Sequence, residues 1–89
     1  MCPSDILEVT TGNGARFGPG LKVFNSHRSY PCSIHVLNPP PNTHVQIQIK
    51  RGDTSWTDYE EGQLIISDEV QCRLRSNQEE TLMIEVFHN

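Results

Sequence analysis

Alternation of apolar and polar residues with a period of two is the feature that most restricts this chain. Val45, Ile47 and Ile49 alternate with Gln46, Gln48 and Lys50, and Val70, Cys72 and Leu74 alternate with Gln71, Arg73 and Arg75. Successive side chains of an extended strand point to opposite faces, so each stretch has one apolar and one polar side. Leu82, Ile84 and Val86 form a third apolar set, interleaved with Met83, Glu85 and Phe87. Cys32, Ile34 and Val36 form a fourth, interleaved with Ser33, His35 and Leu37. Gln63 to Ser67 is a short β-rich run, and weaker strands are predicted over Ile6 to Thr10 and Leu21 to Phe24. No stretch keeps the 3.6-residue period of a helix beyond about one turn.

The stretches between these strands carry turn chemistry. Thr11-Gly12-Asn13-Gly14 and Phe17-Gly18-Pro19-Gly20 supply residues that accept positive φ. Asn38-Pro39-Pro40-Pro41-Asn42 has three successive residues without a backbone donor, so it cannot join a central ladder and must be an exposed connection. Arg51 to Gly62 is the longest polar connection, and Ser76 to Glu80 is the last turn. Short strands separated by frequent turns predict an all-β fold, an antiparallel β-sandwich or jelly roll of about seven to eight short strands. Val45, Ile47, Ile49, Leu82, Ile84 and Val86 are expected to line one interior between two sheets.

With 89 residues, the chain is expected to form a single domain over 1–89. Only 35% of the residues are hydrophobic and the mean hydropathy is -0.50, so the core is modest. Met1-Cys2-Pro3 reads as a start codon added to a module excised from a larger protein. The net charge of -4 and pI near 5.4 argue against a nucleic-acid or anionic-membrane surface, because either needs a local excess of Lys and Arg. Lys50 with Arg51, and Arg73 with Arg75, read as solvated strand faces. No apolar run approaches the roughly 20 residues of a membrane-spanning helix, so direct membrane insertion is not expected. Cys2, Cys32 and Cys72 make an odd count, which leaves at least one thiol free or paired outside the chain and does not fix the redox compartment. Cys72 lies in phase with Val70 and Leu74, so it is expected to be a small buried hydrophobe.

The segment Tyr30-Pro31-Cys32-Ser33-Ile34-His35-Val36, then Asn38-Pro39-Pro40-Pro41-Asn42, then Val45-Gln46-Ile47-Gln48-Ile49 resembles the CUB domain pattern. There a Tyr-Pro and a cysteine lead into a strand, a Pro/Gly connection and a second alternating strand. Gln63-Leu64-Ile65-Ile66 is similar to the family's Leu-x-Ile strand, and Glu80 to Phe87 to its closing strand. The resemblance implies a jelly-roll module, secreted or on a membrane-protein ectodomain, with a disulfide between Cys2 and Cys32. Closing that loop would restrict the unfolded chain by roughly 3 to 4 kcal/mol; two free thiols are the alternative. The family's third cysteine has no counterpart here, so a second disulfide is absent. Glu61-Gly62-Gln63 stands where calcium-binding members carry an Asp before the Leu-x-Ile strand.

Function is read as non-catalytic protein binding through loops at one end, in an extracellular setting. Trp56 and Tyr59, with Asp58 and Glu60, are the candidate ligand contacts, because flat aromatic groups beside polar loops offer large contact area at low entropic cost. Trp56 has a second reading as a cap over one open end of the fold. Asp53, Glu61 and Asp68 are the candidate ligands for Ca²⁺, which takes six to eight oxygens; no other cofactor is expected. A carbohydrate-binding module is the alternative function, and it requires Trp56 and Tyr59 to be exposed and roughly coplanar. Arg51-Gly52-Asp53 matches a tripeptide read by integrins, a match frequent by chance. No catalytic residue is assigned: the four histidines lack zinc spacing, and no Ser or Cys sits in a recognisable nucleophile setting, although a hydrolase built on Cys72 is a third possibility.

Overall fold

A computed structural model describes residues 4–23, 31–67 and 69–88. Among them every regular element is a strand: β1 (Ser4–Thr10), β2 (Gly12–Asn13), β3 (Leu21–Lys22), β4 (Cys32–Leu37), β5 (Gln46–Arg51), β6 (Thr57–Tyr59), β7 (Val70–Ser76) and β8 (Thr81–His88). They form two sheets. The first has the order β1-β8-β4, and the second the order β2-β7-β5-β6 with β3 also on β7. Pairing is antiparallel except for the short parallel contact of β2 with β7.

The alternating residues take the sides their pattern dictates. Ile47 faces Leu74 and Ile49 faces Cys72 across β5 and β7, while Ile34 faces Val86 and Val36 faces Ile84 across β4 and β8. Their apolar side chains join Val9, Val23, Cys32, Ile65, Val70 and Leu82 in a single buried cluster fed by both sheets, with Val45 packed against it. Removing this apolar surface from water is the main favourable contribution to the fold, at about 25 cal/mol per Å².

Local chemistry shapes two of the connections that run between the sheets. The triple-proline segment leads from β4 to β5, and Asn38 and Asn42 on its flanks take φ of 45° and 62°, which Asn tolerates better than most residues. The β7–β8 connection is held by Thr11, whose Oγ1 donates to the Gln78 carbonyl at 3.0 Å and accepts from the Glu80 amide at 3.0 Å. Ser76 Oγ also donates to the Gln78 carbonyl. Thr11 and Ser76 are buried, and these bonds satisfy polar groups that water cannot reach.

The outer edge of β4 is covered rather than open. Ile65 forms an isolated bridge with Cys32, the Gly62 amide donates to the Ile34 carbonyl, the Ile34 amide donates to the Tyr59 hydroxyl, and the Val36 amide donates to Glu61 Oε1. The run from Gln63 to Ser67, expected as a strand, thus contributes one bridge, with Leu64 and Ile66 exposed on either side of buried Ile65. Conversely, β6 lies inside the stretch expected to be one long polar connection.

Candidate functional site

The polar face of the second sheet is where the structure concentrates its chemistry. Register places Gln46 opposite Arg75, Gln48 opposite Arg73 and, on the other side, Gln48 opposite Asp58. Arg73 donates from Nε and Nη2 to Gln48 Oε1 at 3.0 and 2.7 Å. Arg75 donates from Nε to Gln46 Oε1 at 2.7 Å. Both glutamines then donate from Nε2 to Asp58 Oδ1, at 2.8 and 3.0 Å. Each amide has its oxygen committed to an arginine and its nitrogen to the same carboxylate, so the five polar side chains form one oriented network.

Aromatic rings complete the surface. The Arg73 guanidinium carbon lies 4.3 Å from the Trp56 ring centroid and 4.7 Å from that of Phe17, and Arg75 lies 5.1 Å from Phe17. These are cation–π distances. Trp56 can settle here because Gly20 has no side chain: a Cβ at that position would stand 3.1 Å from Trp56 Cη2 and Cζ2. Trp56 is half-buried against the outer face of a sheet, so it neither caps an open end nor stands free in a loop.

Tyr59 corrects the expected pairing with Trp56. Only 6% of it is exposed; it faces the interior opposite Ile47, accepts from the Ile34 amide at 3.0 Å and donates to the Gln63 carbonyl. Burial raises its phenol above the ordinary 10.0, a shift opposed by the backbone bond with Ile34 and reinforced by Cys32 and Glu61. Trp56 and Tyr59 precede and end β6 at positions that send them to different sides of the sheet, so the two-ring platform is not formed. Asp58 belongs to the network just described, and Glu60, two residues further on, is exposed.

The proposed calcium ligands are also separated. Asp53 lies at the turn after β5, whereas Glu61 lies beyond the far end of β6. Glu61 is engaged with the Val36 amide. Asp68 lies outside the described residues, and among those residues no group of three or more His, Cys, Asp or Glu side chains could hold a metal ion. Arg51-Gly52-Asp53 occupies the β5–β6 turn, with Gly52 at φ 56° and its amide donating to the Glu69 carbonyl.

The two described cysteines are buried. Cys32 and Cys72 are free thiols, and Cys2, expected to pair with Cys32, lies outside the described residues. Burial raises both thiols, Cys72 from 9.0 to about 12, so Cys72 stays protonated near neutral pH and is unsuited to act as a nucleophile. The buried small hydrophobe expected at that position is what the structure contains.

Two pockets open near the end of this sheet. One of about 340 Å³ lies between Val36 of the first sheet and Val45, Ile47 and Tyr59 of the second, with His44 and Glu61 at its polar side. The other, of about 370 Å³, adjoins Arg75. No family model matches the chain, nor does any curated protein or solved structure.

Proposed function

We propose that the chain is an extracellular, non-catalytic protein-binding module of CUB-like jelly-roll architecture, and that it meets its partner on the outer face of the second sheet, around Trp56, Phe17, Arg73 and Arg75. One observation carries this reading. Two guanidinium groups are stacked on aromatic rings and locked by glutamine oxygens, yet neither has a carboxylate within ion-pair distance among the described residues.

Locked cations favour binding because the entropy of ordering them has already been spent on folding. Arg and Trp are also the side chains that most often dominate the energy of protein contacts. The end-loop surface first expected gives way to this sheet face because Tyr59 is interior and Asp58 serves to orient the glutamines. The carbohydrate reading loses its second stacking ring for the same reason.

The test is a screen of the immobilised domain against displayed ectodomains and, in parallel, a glycan array. A protein binder that weakens about tenfold or more in Trp56→Ala and in Arg73→Ala, and is unaffected by Ile6→Ser on the opposite sheet, is the expected result. Glycan binding lost in Trp56→Ala would transfer the function to the carbohydrate reading, and protein binding indifferent to both substitutions would remove the sheet face as the contact surface.

A further inference from the structure

The pocket of about 370 Å³ beside Arg75 is bounded by Gly14, Ala15, His44, Gln46, Arg75 and Asn77. By volume it has room for roughly a dozen waters, or for one side chain with its hydration. We infer that it is a carboxylate subsite that receives an acidic side chain of a protein partner. This rests on the reading of the adjoining sheet face as the contact surface, and it names the chemistry of what that surface accepts.

The donor set decides the chemistry. Arg75 uses Nε for Gln46 Oε1 at 2.7 Å, which fixes the plane of its guanidinium, and its two terminal nitrogens have no protein acceptor among the described residues. They leave a fork of parallel N–H donors, the arrangement that matches the two oxygens of a carboxylate. The Phe17 ring, 5.1 Å away, screens one side of the guanidinium from water. Among the described residues no Asp or Glu lines the pocket, in a chain whose net charge is -4. Asp58 reaches this region only through Gln46, whose nitrogen it accepts at 2.8 Å, so it orients the glutamine and leaves Arg75 uncompensated.

The walls are held independently of any ligand. Gly14, at φ 65°, donates its amide to the Ser76 carbonyl at 2.9 Å, and the Asn77 amide nitrogen donates to the Asn42 carbonyl at 3.3 Å. His44 is exposed at the rim and supplies a further ring nitrogen. A tetrahedral dianion would call for a second guanidinium, and among the described residues that line the pocket Arg75 alone supplies one.

Titration of the full chain with sodium acetate and, separately, sodium sulfate, at ionic strength held constant with sodium chloride and followed by ¹⁵N NMR, tests the subsite. The expected result is a saturable acetate shift at Arg75 Nε–Hε and at the amides of Ala15, Gln46 and Asn77, with sulfate weaker. Arg75→Lys, which keeps the charge without the fork, should weaken acetate about tenfold, and Arg51→Gln, which removes a cation at the far end of β5, should leave it within about twofold. Only linear drift, sulfate binding as tightly as acetate, or an unchanged response in Arg75→Lys would overturn the inference. Should Arg75→Lys fail to fold, the wild-type Arg75 Nε–Hε resonance decides alone. Acetate binding with no protein partner found would sink the protein-binding reading and keep the subsite; a partner indifferent to acetate and to Arg75→Lys would do the reverse.

Discussion

Replacing Tyr59 with Phe removes one oxygen atom and tests how the edge of β4 is sealed. The ring stays, so the apolar burial is unchanged, and two hydrogen bonds go: the one accepted from the Ile34 amide at 3.0 Å and the one donated to the Gln63 carbonyl. Ile34 is 0% exposed, so its N–H is left buried without a partner, at a cost of about 1–3 kcal/mol. Gln63 is exposed and its carbonyl can turn to water, which limits that loss to about 0.5–1.5 kcal/mol. Together the substitution should destabilise the domain by about 2–4 kcal/mol, a large share of the roughly 5–15 kcal/mol typical of folded proteins.

At about 4–8 °C per kcal/mol for a domain of this size, the melting temperature should fall by roughly 8–32 °C. Urea unfolding followed by Trp56 fluorescence gives the free energy, and amide exchange at Ile34 gives the local effect. The pH dependence supplies a second signature. The folded phenol titrates above its ordinary 10.0, so the unfolded chain loses this proton first, and stability present below pH 10 declines as pH rises beyond it. Tyr59→Phe should lack that part of the alkaline decline. A change under about 0.5 kcal/mol, with the Ile34 amide still protected, would refute the reasoning.

Other outcomes follow from the same structure. Arg73→Lys keeps the charge but loses the forked bonds to Gln48 Oε1 and the flat stack on Trp56, so the Trp56 emission should shift to longer wavelength with a stability loss of about 0.5–2 kcal/mol; an unchanged spectrum would argue against the stack. Cys72 should resist iodoacetamide in the folded state. With its thiol raised to about 12, the stability it supports is complete below pH 9 and lost progressively between pH 9 and about 12, which a Cys72→Ala comparison in alkaline melts would measure. Ile84→Ala, at a fully buried site, should cost about 2–5 kcal/mol in urea unfolding, whereas Ile6→Ala, at a site 55% exposed, should stay within about 0.5 kcal/mol.

The long strands were legible because each has one dry face. Ile47 and Ile49, Cys72 and Leu74, and Ile84 and Val86 alternate over enough residues for a period of two to emerge, and all are buried. Of the short strands, β3 has two residues and falls inside the run predicted over Leu21 to Phe24, whereas β2, also of two residues, and β6, of three with only Tyr59 turned inward, were not legible. Gln63 to Ser67 misled in the other direction, because Leu64 and Ile66 look like strand residues yet flank a single bridge in the open. At the site, Trp56 stood out by its chemistry, but its surroundings depend on register. Arg73 and Arg75 read as solvated until β5 is set beside β7, when each meets a glutamine. Arg-x-Arg on one polar face and Gln-x-Gln on another was the available signal, and Phe17, placed by a turn, had none.

The position of β8 bears on how the chain reaches this state. The strand last in sequence is the middle one of its sheet, hydrogen-bonded to β1 on one side and β4 on the other, with Ser4 opposite Phe87 and Cys32 opposite His88. Until Thr81–His88 leaves the ribosome, both neighbours are strands without a template. Nucleation therefore requires contacts between distant parts of the chain, a topology associated with folding in milliseconds to seconds rather than microseconds. A fragment stopping before Thr81 would expose the inward side chains Val9 and Ile34 to other nascent chains.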